Sequence, residues 1–167
     1  YTARVSPQTS SRVVTSAREL LNKFIPDVYI YTDHYKGSEG GRSPGFGLSL
    51  VAESTTGCFV AAESVAAKGV LPEDLGAHVS RLLCEEIRRG GCVDTCSQSL
   101  VFLLMVLSPE DVSKVRVGTL TEAGMDCLRH IRDVFGVTFK IKADPSSKTV
   151  LLSCLGIGYI NYAKKVT

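Results

Sequence analysis

The chain has 167 residues, a mass of 18.0 kDa and a formal net charge of +2, with 44% hydrophobic and 22% charged side chains. This balance describes one ordinary domain or two small lobes, and it excludes a disordered tail, a collagen-like fibre and an acidic low-complexity segment. No run of about eighteen apolar residues is present, which excludes a conventional membrane-spanning helix.

The first element in chain order is a helix. Ser10 or Ser11 can cap it, Val13, Val14, Ala17, Leu20, Leu21 and Phe24 recur at helical spacing, and Pro26 stops it. Val28–Tyr35 alternates as a strand, with Tyr29, Tyr31 and Tyr35 on one face and Val28, Ile30 and Thr32 on the other. The segment 37–45 carries five glycine or proline residues and reads as a loop. Phe46–Glu53 is the next strand, and Gly47 and Ser49 leave one of its faces thin, which invites close approach to the backbone or marks a bend. A turn at Thr55–Gly57 leads to a third strand over Cys58–Ala62.

Leu71–Arg89 has the signature of a long helix. Pro72 lies in the first turn, Glu73 and Asp74 complement the positive end, and Arg88 and Arg89 the negative end. Ser97–Leu107 is nearly all apolar and is read as a buried helix. Val112–Thr119 follows as a strand, Thr121 caps a helix running to Phe135, Val137–Lys142 alternates as a strand, and Val150–Ile157 suits a central strand. The expected fold class is α/β, with helices layered on mixed sheets.

Charge is unevenly spread. Residues 1–111 hold ten basic and thirteen acidic side chains, and residues 112–167 hold nine basic and four acidic. The C-terminal half therefore suits a nucleic acid, an acidic protein or plain solvent. Lys114 and Arg116 point outward on one strand, and Lys140 and Lys142 on another, so neighbouring strands would put four cations on one face.

Other constellations fail on spacing. Cys92 and Cys96 lack the second pair or histidine of a zinc site, so no metal and no cofactor is expected. The six cysteines, several inside apolar stretches, fit a reduced protein. Ser43-Pro44-Gly45-Phe46-Gly47 lacks the lysine and hydroxyl of a phosphate-binding loop and leads into a strand. Asp33 and His34 face opposite ways on a strand, and His78 lies on a helix flank. Asp94 and Gln98 are one turn apart and suit a polar pair at the start of the buried helix, not a general acid/base pair. Tyr1 is not an initiator methionine and no leader pattern follows it, so a processed chain or a piece of a longer one is expected.

Several stretches carry a resemblance: Arg4-Val5-Ser6-Pro7, Asn22-Lys23-Phe24-Ile25-Pro26-Asp27, the run Ser43–Glu53, Leu71-Pro72-Glu73-Asp74-Leu75-Gly76 and Arg89-Gly90-Gly91-Cys92-Val93-Asp94. Together they resemble the RNA 3′-terminal phosphate cyclase family, and within it the eukaryotic non-cyclase branch that serves ribosome biogenesis. The resemblance implies repeats of two helices on a four-stranded sheet plus an inserted α/β domain. It assigns residues 1–65 to the later part of the insert and 66–167 to most of the last repeat. An isolated half of such a fold is expected to oligomerise through exposed apolar edges.

The resemblance also bears on chemistry. Active cyclases adenylate a histidine, and that position falls on Ala123, which has no nucleophilic atom. An Asp-Gln pair of the cyclases falls on Ser99 and Leu100. The expectation is thus a non-enzymatic factor of the small-subunit processome, nuclear and nucleolar, needed for early pre-ribosomal RNA processing. Its implied partners are pre-ribosomal RNA and a nucleolar GTPase, with no membrane. Candidate contacts are Lys114, Arg116, Lys140, Lys142 and Arg42, and the 37–45 loop is a further candidate surface. The alternative is an endoribonuclease using Arg129, His130 and Arg132, with Asp126 and Asp133 nearby.

Overall fold

A computed structural model describes residues 1–160 and Ala163. It shows an α/β fold of two compact units, one formed by Tyr1–Ser54 and Val60–Arg88, the other by Thr55–Phe59 and Arg89 onward. The lysines Lys164 and Lys165, counted in the basic half, lie outside the described residues.

The first unit opens with a two-residue strand, β1 (Thr2–Ala3), and helix α1 (Pro7–Leu21). The cap is Ser6, whose hydroxyl accepts the Gln8 amide at 3.3 Å, and Pro7 takes the first turn where no N–H is needed. The expected cap at Ser10 or Ser11 is thereby corrected: Ser10 is buried inside the helix. The helix ends at Leu21 with Asn22 as its C-cap, so Phe24 falls past the stripe and is exposed rather than part of the core.

Beyond α1 the chain is extended, yet only β2 (His34–Tyr35) pairs, parallel to β1. The expected strand over Val28–Tyr35 shrinks accordingly. Its alternation reflects one-sided burial, because Val28 and Ile30 pack on the core while Tyr29 and Tyr31 face out. Strands β3 (Gly45–Glu53) and β4 (Phe59–Val65) complete a sheet of order β2-β1-β3-β4, with β1 and β3 antiparallel. The His34 ring ties this edge to α1, with Nδ1 2.6 Å from the Thr2 hydroxyl and Nε2 3.3 Å from that of Ser10.

Helix α2 (Pro72–Arg89) buries Leu75, Val79 and Leu83 in one core with Val13, Ala17 and Leu21 of α1 and Leu48 and Leu50 of β3. A Cβ on Gly76 would strike the Val13 carbonyl, so glycine lets these helices approach closely. Arg12 grips Glu73 with two hydrogen bonds, of 2.6 and 2.8 Å, and holds that carboxyl below its ordinary range. Because α2 belongs to this core, the division between the compact units lies at residues 88 and 89.

The second unit contains α3 (Gln98–Leu107), β5 (Val112–Val117), α4 (Glu122–Phe135), β6 (Lys140–Asp144) and β7 (Thr149–Leu155). Its sheet has the order β5-β7-β6 and is antiparallel throughout. It has three named strands where four were expected, and β7 is central as its apolar run requires. Both helices supply one core with the inner face of the sheet, through Phe102, Val106, Ile131, Val115, Val117 and Leu152. The Phe102 and Phe139 rings meet at 5.8 Å and 57°. Burial in this core pushes the Cys154 thiol up, and none of the six cysteines is in a disulfide among the described residues. No described helix is long and apolar enough to cross a membrane.

Candidate RNA and partner interface

The starts of α3 and α4 meet through one buried amide. Gln98 is fully buried, donates from Nε2 to the Thr119 carbonyl at 2.9 Å, and accepts at Oε1 from the Thr121 amide and hydroxyl at 3.1 and 3.2 Å. Thr121 in turn caps α4 by accepting the Gly124 amide at 2.9 Å. Asp94 is buried and accepts the Ser97 amide at 2.8 Å just before α3. These groups are therefore spent on holding backbone, with Gln98 turned toward the 119–121 turn.

Ala123 and Ser99, singled out separately in the sequence, are brought together here. Ala123 sits exposed in the first turn of α4, and its carbonyl accepts a hydrogen bond from Ser99 Oγ at 3.4 Å. Cys127 Sγ reaches the Ser99 carbonyl at 3.6 Å from the same side. This corner holds a methyl group, a hydroxyl already turned to a carbonyl, and a thiol.

Arg129, His130 and Arg132 do not gather into a site. Arg129 pairs with Asp126 at 2.6 Å and Arg132 with Asp133 at 3.0 Å, all on α4 and all exposed. His130 is exposed and lies about 100° around the helix from Arg129 and about 160° from Arg132. Each arginine already has its own carboxylate, and the imidazole points away from Arg132. Among the described residues there is no cluster of three or more side chains suited to a metal ion.

The basic strands behave differently. β5 and β6 are not neighbours, because β7 runs between them, which corrects the simplest form of the expectation. The register nevertheless aligns the charges. Lys114 and Lys140 both stand opposite Ser153, and Arg116 and Lys142 both stand opposite Leu151. Residues opposite one another in a sheet point to the same side, so all four cations share the face that α3 and α4 leave open. Val112 and Leu155 add exposed apolar surface at one end of it.

One of the four cations is already engaged. Arg116 Nη1 is 3.1 Å from Asp144 Oδ2 and 2.8 Å from the Thr149 hydroxyl. Asp144 also accepts from the Ser146 hydroxyl at 2.6 Å and the Ser147 hydroxyl at 2.9 Å. These hydroxyls first, and Arg116 with them, hold its carboxyl far below the ordinary range, so it stays ionised and continues to neutralise Arg116. Lys114, Lys140 and Lys142 have no ion pair among the described residues. Arg42 is exposed in the first unit and so is no member of this face. No periodicity in the sequence announced that Asp144 would claim Arg116, since the contact depends on the β5-β7-β6 order.

Comparison with known proteins completes the picture. The family model for the insert domain of RNA 3′-terminal phosphate cyclases matches residues 1–88. The chain belongs to the RNA 3′-terminal phosphate cyclase family. Similar cyclase-family relatives are an RNA 3′-terminal phosphate cyclase-like protein of Homo sapiens, 53% identical over 98% of this chain and 47% of its own length, and a probable one of Dictyostelium discoideum, 51% identical over 98% and 48%. An rRNA processing protein of Schizosaccharomyces pombe is 44% identical over 98% of this chain and 45% of its own. The chain thus spans about half the length of the curated relatives it matches. The insert-domain match ends at residue 88, where the first compact unit ends.

Proposed function

We propose that this chain belongs to a ribosome-biogenesis factor that binds and positions RNA and protein without turning over a substrate. The observation that carries the reading is Ala123: where the resemblance sets the adenylated histidine of active cyclases, this chain has an exposed methyl group. Acyl- or nucleotidyl-transfer through a covalent intermediate needs a nucleophilic atom, and alanine offers none. The open basic face of the second unit, which we assign to the last cyclase-like repeat, supplies what binding requires. Lysines on a sheet face contact a phosphate backbone without reading sequence.

The relative named for rRNA processing and the resemblance to the eukaryotic non-cyclase branch support the finer reading. In it, the protein acts in the nucleolus within the small-subunit processome, supports the early cleavages that lead to 18S rRNA and the 40S subunit, and binds a nucleolar GTPase. The test is incubation of the full-length protein with labelled ATP and RNA bearing a 3′-phosphate. The expected result is no protein-linked AMP and no cyclic phosphate end. A covalent nucleotide adduct overturns the reading.

A further inference from the structure

The first unit has its own open face, and its chemistry is not that of the basic one. Val28 and Ile30 pack inward, while Tyr29 and Tyr31 of the extended segment before β2 and Tyr35 of β2 are 76%, 85% and 44% exposed. Tyr35 pairs with Ala3 in the sheet, and Tyr1 lies over Gly47 of β3, where a Cβ would overlap its phenol ring. The thin strand face noted in the sequence is filled by this ring. Four of the six tyrosines of the chain are therefore exposed in this unit.

We propose that this tyrosine row stacks the bases of single-stranded RNA. The idea rests on the RNA-binding part of the function proposed above and names the form of RNA and a second surface for it. Residues two apart in an extended segment are about 6.6 Å apart. Stacked bases lie about 3.4 Å apart, so the pair Tyr29 and Tyr31 has the spacing one base needs to stack on both sides, and Tyr35 stands a further four residues along. Aromatic rings accept any unpaired base on their faces, whereas the bases of a duplex already stack on one another.

Cations for the backbone stand at one end of the row. Arg4 clamps the adjoining loop, donating from Nε to the Gly41 carbonyl at 2.6 Å and from Nη2 to the Gly37 carbonyl at 2.8 Å. Lys36 and Arg42 flank the clamped loop, both exposed and neither in an ion pair among the described residues. Asp33, between Tyr31 and Tyr35, is an acceptor suited to base amino groups and unsuited to phosphate. Bases along the tyrosines with phosphates toward Lys36 and Arg42 satisfy both signs of charge.

The chain has no tryptophan, so its intrinsic fluorescence comes from tyrosine and reports largely on this row. The experiment titrates the full chain with a short oligouridylate and with an RNA duplex of the same length, following both affinity and tyrosine emission. The oligouridylate is expected to quench the emission and the duplex to leave it unchanged. Tyr29→Ala and Tyr31→Ala together should lower single-strand affinity by roughly ten-fold or more, while Tyr29→Phe with Tyr31→Phe should retain it. Both sites are exposed enough that folding, checked by circular dichroism, should be unaffected. Binding without quenching that survives the alanine pair but is lost on reversing Lys114 and Lys140 would overturn the inference and leave the proposed function standing. If neither RNA binds the wild-type chain, both fall. Loss of a protein partner with unchanged RNA binding in the alanine pair would make the row a protein dock and overturn the inference as well.

Discussion

The two units solve the same packing problem and differ in what they leave outside. In each, two helices cover one face of a small sheet. The first unit buries Leu48 and Leu50 under α1 and α2, and the second buries Val115, Val117 and Leu152 under α3 and α4. The exposed faces diverge: tyrosines and valines in the first, lysines and an arginine in the second. The inner faces are interchangeable in kind, since apolar residues of suitable volume make either core. The outer faces are where specificity resides, because nothing in the packing of either unit requires a tyrosine row or a set of cations aligned across a third strand.

The sharpest way to break this comparison is to damage one interior. Phe102→Ala removes a fully buried ring that meets Phe139, and is expected to cost about 3–5 kcal/mol in denaturant unfolding. Leu83→Ala should cost about 2–5 kcal/mol in the other core. A smaller loss is expected from Gln98→Ala, which strands the Thr119 carbonyl and the Thr121 amide: about 1–3 kcal/mol, seen as a lowered denaturant midpoint. A change at Gln98 with no effect on stability would mean that the junction of α3 and α4 is held by something else.

Changes to the outer faces should alter binding more than stability. Asp144→Asn removes the carboxylate that occupies Arg116, so RNA affinity should rise and its salt dependence steepen by about one unit of slope, measured by filter binding. The pH sign follows from the same contact. The Asp144 carboxyl is held below its ordinary value, so its contribution to stability is present above about pH 4 and is lost as pH falls below that. The variant should therefore show a weaker acid dependence of melting temperature than the wild-type chain. Smallest of all should be the effect of replacing Arg129, His130 and Arg132 singly with alanine on pre-ribosomal RNA cleavage. Each is exposed, and the two arginines are spent on Asp126 and Asp133, so no change is expected in a primer-extension assay of precursor ends.

How much of this was legible before the fold was known varied with the physics involved. Long amphipathic elements were readable: α2 and α4 start and stop within a residue of expectation, because Pro72, Thr121 and Gly136 are local signals. Short pairing was not. Thr2–Ala3 is too brief for any period to register, and Val28–Tyr35 alternates as a strand although only two of its residues join a ladder. Alternation records which side is buried, and hydrogen bonding needs a partner that sequence does not name. Phe24 kept helical spacing past the point where Asn22 ended the helix. At the candidate interface, the four cations were visible and their shared face was conditional. It depended on β7, whose interposition keeps Lys114 in line with Lys140 and lets Asp144 reach Arg116. The junction of Ser99 with the Ala123 carbonyl joined two positions that the resemblance had marked separately.

The measurement that bears most directly on the account is RNA affinity as a function of salt for the full chain and for Lys114→Glu with Lys140→Glu. Those two lysines are preferable to Arg116, whose reversal would set a second carboxylate beside Asp144. The account predicts weaker binding by at least about 1 kcal/mol and a salt slope lower by about two units, with the melting temperature close to that of the wild-type chain. Unchanged affinity and unchanged slope would contradict it, and would reduce the basic face to solvated charge.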